Sequence, residues 1–153
     1  MLLSVVFEPE VLEEIARAAA KAYPYEGCGA LLGEARHVRV TLPLPNTEKG
    51  TPRVRFEVSP KDYLGVEREA DARGVRLLVF WHSHPDHPAR PSATDRAFAW
   101  EGLLTVIVLV ERGRSADIGA WEILGPESPF ESVEIASPGA AALVTPLSKE
   151  GET

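Results

Sequence analysis

Apolar positions along the chain fall into short runs, and the spacing within each run changes from one segment to the next. Leu2 to Phe7 is an apolar run of strand length. Beyond Pro9, the residues Val11, Leu12, Ile15, Ala18, Ala19 and Ala22 recur every three or four positions. That is the spacing of one helix face, and Pro24 ends it. Tyr25 to Gly29 reads as a turn feeding a short apolar strand, Ala30 to Gly33. His37 to Leu44 alternates as a half-buried strand does. The polar stretch from Asn46 to Pro52 predicts an exposed, flexible loop. Val54, Phe56 and Val58 then alternate again and predict another strand.

Ser59-Pro60 is a helix start, residues 61–73 carry a helical charge pattern, and Gly74 is a natural stop. Val75 to Trp81 is nearly continuous in apolar residues, which predicts a strand covered on both faces. A short helix is expected from Ala93 to about Glu101, then a second apolar strand from Leu103 to Val110. Glu111-Arg112-Gly113 turns the chain, and Ile118 to Leu124 and Phe130 to Ile135 are the last expected strands. Periodicity stops after Ser137, so the folded domain is expected over 1–137, with 138–153 as a tail that frays. Helices interleaved with strands around two buried central strands predict an α/β (α+β) fold, a single mixed sheet flanked by helices.

The 153 residues suit one domain with a core of its own, and 44% hydrophobic with 25% charged residues is ordinary for a globular chain. A net charge of -7 argues against a nucleic-acid partner, which needs a concentrated basic surface. Cys28 is the only cysteine, so no internal disulfide is expected and a reducing, cytoplasmic setting follows. No run is long enough to span a bilayer, and Leu2 to Phe7 is too short for a signal-peptide core. Glutamine is absent and Asn46 is the only asparagine, a bias that leaves source and thermophily open.

The chemistry concentrates in His82-Ser83-His84-Pro85 and Ser92-Ala93-Thr94-Asp95. Side chains two apart on a strand share a face, so His82 and His84 point together and Ser83 points away. Two imidazoles and a carboxylate leave zinc an open fourth position, the arrangement of a catalytic site. Water on such an ion has a pKa of roughly 7 instead of 15.7. Pro85, Pro88 and Pro91 stiffen the loop that returns Asp95 to the histidines. Ser92 stands near enough to donate to a developing oxyanion. The base should be an acid close to the metal without ligating it, and Glu26, set before Gly27-Cys28-Gly29, is the best candidate.

Glu26, His82-Ser83-His84-Pro85 and Ser92-x-x-Asp95 resemble the JAMM (MPN-plus) metalloproteases, as does the stretch Pro24 to Gly33. The resemblance runs from about residue 1 to 125 and takes in all five positions of the motif. It implies an MPN/JAB1 domain of cytidine-deaminase-like layered architecture. It also implies one zinc per chain on His82, His84 and Asp95, with Glu26 as acid/base and Ser92 as oxyanion donor. Lacking long insertions and extra zinc ligands, the chain resembles the compact prokaryotic form. The resemblance implies a metallopeptidase or isopeptidase, its partner a ubiquitin-like or sulfur-carrier protein ending in Gly-Gly. The carrier, the leaving residue, the oligomeric state (a homodimer included) and any gating by residues 46–52 stay open.

Other readings compete. Two histidines and a carboxylate also describe a non-haem iron oxygenase, which has no use for Glu26 or Ser92. A zinc deaminase needs Pro-Cys-x-x-Cys, which one cysteine cannot supply. A non-catalytic MPN scaffold would have lost its ligands. Ser92-x-x-Asp95 is in addition a helix N-cap pattern, and cap and ligand can coexist. Cys28 reads as a small buried hydrophobe, His87 as an exposed loop residue, and Trp81 and Trp100 as core or pocket wall.

Overall fold

Pro9 and Ser59 begin the two long helices for different reasons. The computed structural model describes residues 4–97, 104–123 and 128–138. Helix α1 (Pro9–Ala22) starts on the proline, whose fixed φ and missing amide suit a first helical turn, and buries Val11, Leu12, Ile15 and Ala19. Helix α2 (Pro60–Arg73) is capped by Ser59 Oγ, which accepts from the Asp62 amide at 3.1 Å. Gly74, at φ 71°, closes it in the left-handed region.

The strands are β1 (Val5–Phe7), β2 (Cys28–Glu34), β3 (His37–Leu44), β4 (Arg76–Pro85), β5 (Leu104–Glu111), β6 (Arg114–Ile123), β7 (Phe130–Val133) and β8 (Ile135–Ala136). They form one mixed sheet in the order β7-β6-β5-β4-β2-β3-β1-β8. β7 and β8 take opposite edges although only Glu134 separates them. The sheet therefore curls until its edges meet. It wraps α1, whose Val11, Leu12 and Ile15 pack among Leu31, Trp81, Val106, Val133 and Ile135. On the outer face α2 sets Val66 and Ala70 against Ala30, Leu32, Leu77 and Phe80.

A bulge in β4 fixes which way the histidines face. Leu31 pairs with Val79 but Leu32 with Leu77, so Leu78 is an extra residue. Side-chain phase shifts there: Phe80 joins Leu77 on the α2 face, while Val79 and Trp81 pack on the α1 side. His82 and His84 continue the α2 face by strand alternation, and Ser83 takes the other.

Four expectations are corrected. Phe130 to Ile135 is two strands, β7 and β8, because the chain passes from one sheet edge to the other at Glu134. Val54 to Val58 forms no strand, since its backbone is bonded elsewhere: Glu57 N donates to Asn46 Oδ1, and Glu57 O accepts from Thr47 N and Oγ1. The same contacts pin the segment expected as a free loop over 46–52. β6 also begins at Arg114, earlier than expected, because Arg112 (φ 51°) and Gly113 (φ 85°) make a tight hairpin turn. Helix α3 is Ala93–Ala97. The expectations for Leu2, Leu3, 98–103 (Trp100 included), Leu124 and 139–153 lie outside the described residues.

Candidate metal centre

His82 and His84 belong to a ladder on both sides of β4. Cys28 of β2 stands opposite His82, and Ile107 and Leu109 of the parallel β5 stand opposite His82 and His84. Both imidazoles are buried. The loop after them returns Asp95 on α3, with its Oδ1 2.9 Å from His82 Nε2 and its Oδ2 3.0 Å from His84 Nε2. The His84 Nδ1–H donates to the Pro88 carbonyl at 2.7 Å, which leaves Nε2 as the lone-pair nitrogen facing a carboxylate. Two acceptors at that distance repel unless positive charge sits between them. His82 Nε2, though close to Oδ1, is buried without a well-directed hydrogen bond. Its geometry is that of atoms converging on a common point, so the residues present fit a divalent cation.

The electrostatics agree. Burial lowers the His82 pKa and favours the neutral, ligating imidazole, against the pull of Asp95. Burial would raise Asp95, but its contacts with His82 and His84 and the bond from the Ser92 amide prevail and hold it well below the usual carboxylate range. Ser92 and Asp95 bond reciprocally: Ser92 N donates to Asp95 Oδ2 at 2.8 Å, and Asp95 N donates to Ser92 Oγ at 3.1 Å. Ser92 is thus the N-cap of α3 and aims the Asp95 carboxylate at the two histidines. As an acceptor in that cap its hydroxyl keeps its own proton free to donate. The loop is anchored by the Trp121 Nε1–H, which donates to the Ala89 carbonyl at 3.0 Å.

Glu26 is 2% exposed, and a carboxylate oxygen of it lies within 4.8 Å of ring nitrogens of His84 and His87. Burial, and then the Asp95 charge, push its carboxyl up to about 8. Its backbone is held from two sides. Glu26 N donates to the Pro52 carbonyl at 2.8 Å, and the Asn46 amide donates to the Glu26 carbonyl at 3.0 Å. On the β4 side Ser83 Oγ accepts from Gly27 N at 2.7 Å, and Ser83 N donates to the Gly27 carbonyl at 3.0 Å. The serine inside His-x-His therefore registers the acid against the histidines. The flanking glycines serve close approach: a Cβ on Gly29 would lie 2.4 Å from Trp81 Nε1, and one on Gly27 2.9 Å from Ala22 Cβ.

Three participants were missed in the sequence. Asn46 is one, since a lone polar residue in a polar stretch carries no periodic signal. Phe56 is another; its ring stacks on His82 with centroids 4.9 Å apart, so its alternation marked burial over the site rather than a strand. His87, read as an exposed loop residue, is half-buried and stacks on His84 at 4.1 Å. Cys28 is as expected, a buried thiol pushed up to about 12 by burial and by Glu26 and Asp62. Trp81 is core, its Nε1–H donating to Thr41 Oγ1 at 3.0 Å.

A curled mixed sheet with His-x-His at the end of a central strand, and Ser and Asp on the turn that follows, defines a hydrolase of the JAMM peptidase class. The chain belongs to the prokaryotic homologues of the JAB domain, whose family profile matches residues 8–124. It is 35% identical over 100 residues to a desampylase of Haloferax volcanii, covering 63% of this chain and 71% of that protein. A probable TtuB-protein conjugate cleaving protease of Thermus thermophilus is 34% identical over 92 residues, 60% of this chain and 61% of that one. Among solved structures, a Desulfitobacterium hafniense protein superposes with a TM-score of 0.75 at 28% identity, over 87% of this chain and 92% of its own.

Proposed function

We propose that the chain is a zinc-dependent isopeptidase that cuts after the C-terminal Gly-Gly of a ubiquitin-like or sulfur-carrier protein. The observation that carries the reading is the meeting of four distant groups: His82, His84 and Asp95 converge on one point, with Glu26 buried beside it. The names of the two curated relatives, a desampylase and a conjugate cleaving protease, support the substrate class. His82, His84 and Asp95 would hold the zinc, which when bound supplies Lewis acidity, polarising the scissile carbonyl and acidifying a water.

Glu26 would take a proton from the attacking water and pass it to the leaving nitrogen, a role suited to a carboxyl that burial pushes up to about 8. The free Ser92 hydroxyl proton meets the oxyanion. The Phe56 ring stacked on His82 leaves little room for bulky side chains there, which suits a glycine-ended tail. An iron oxygenase would leave the clamped Glu26 without work. Residues 1–137 form the catalytic unit in this reading, and the buried single thiol suits the reducing cytoplasm. Among the described residues no helix is long and apolar enough to cross a membrane.

The test is incubation with Gly-Gly carriers joined to lysine or to a single amino acid, with the products weighed. Cleavage after the glycine pair that stops with chelator and returns with zinc is expected. Intact conjugates at full zinc occupancy would refute it.

A further inference from the structure

The stacked pair His84 and His87 carries a consequence for metal binding. A carboxylate oxygen of Glu26 and one ring nitrogen from each of His84 and His87 lie within 4.8 Å of one another, a second set overlapping the first. An imidazole binds a metal in its own ring plane. The two rings are nearly parallel, 17° apart with centroids at 4.1 Å, so one ion cannot lie in both planes. His87 is therefore not a fourth ligand of the ion held by His82, His84 and Asp95. An ion in the His87 plane would therefore be a second ion, on ligand atoms within 4.8 Å of those of His84, as neighbouring ions are held in two-metal sites. His87 Nδ1–H donates to the Pro85 carbonyl at 2.9 Å, which leaves Nε2 with the lone pair. Glu26 is buried to 2% exposure, and its carboxylate, unlike its carbonyl, accepts no hydrogen bond from the described residues.

We propose that Glu26 and His87 form a second, weaker cation site beside the first, through which excess divalent metal stops turnover. The inference rests on the proposed zinc site and goes beyond it. A cation on the Glu26 carboxylate occupies the oxygen that would accept the proton. Two dications so close repel, which makes the second site weaker. The shutdown therefore belongs to metal excess.

Zinc chloride is titrated into the full chain, with stoichiometry read by native mass spectrometry and calorimetry and turnover followed in parallel. The expected result is one tight equivalent, then a second whose filling tracks loss of activity. His87→Ala and His87→Gln should keep the tight equivalent and lose both the second and the inhibition. The planar glutamine guards against a folding defect in the alanine variant. The half-buried pair His37 and Glu8, untouched by these changes, controls for unrelated zinc binding. A second equivalent with inhibition that survives both substitutions, or no second equivalent in the parent, would overturn the proposal. Absence of the tight equivalent would instead overturn the zinc site on which it rests.

Discussion

Asp95 faces two imidazole nitrogens at about 3 Å with its charge held on, so its loss should empty the centre. Asp95→Ala is expected to abolish tight zinc binding by metal analysis; full occupancy would remove it from the ligand set. Glu26→Gln should keep zinc and lose turnover. It should also change how the metal-free protein responds to pH. Glu26 has a folded pKa of about 8 against 4.5, so the native state holds its proton longer than the unfolded chain does. Stability from this group is complete below 4.5 and is lost as pH rises through 8. Melting in chelator should show a Tm that falls across that window in the parent and a flatter one in Glu26→Gln; matching slopes would contradict the burial account. Ser92→Ala should lower kcat by on the order of 10²–10³ through the lost oxyanion donor, and cost about 1 kcal/mol as a lost cap. A stability loss with kcat unchanged would leave Ser92 a cap alone.

At the scale of elements, the segment between β3 and α2 holds Glu26 while β4 and α3 carry His82, His84 and Asp95. Asn46 donates to the carbonyls of Glu26 and Arg55, each at 3.0 Å, and accepts from the amides of Glu48 and Glu57. Asn46→Ala is expected to depress kcat more than KM with zinc retained, whereas Thr47→Val, which removes only a bond to Glu57, should do neither. Equal effects would make the segment a mere cover. Both long helices and the strands β2 to β5 were legible in the sequence because proline, glycine and capping serine marked ends that apolar spacing had placed. The meeting of His82, His84 and Asp95 was legible because strand alternation puts two residues of His-x-His on one face and the prolines turn the chain back. Val54 to Val58 misled because alternation reports which side chains turn inward, not whether the backbone has a strand to pair with. Asn46 and the curl of the sheet stayed hidden, since both depend on partners far along the chain.

Across the whole molecule, the curl around α1 makes a rigid frame, and the centre sits at its outer face where β4 ends. That frame explains why side chains from β4 and α3 and from the turn before β2 meet without a metal; in the proposed reading, metal enters a site already built. Chelation should accordingly lower Tm through lost ligand linkage without changing secondary structure by circular dichroism. A large structural change would mean that the metal builds the site rather than entering it. The most direct measurement is anomalous diffraction at the zinc edge from crystals grown with limiting zinc. One peak joined to His82, His84 and Asp95, with the Glu26 carboxyl beside it and unligated, is the predicted result. No peak between the two imidazoles and Asp95, or a Glu26 side chain turned out of the cavity, would contradict the account.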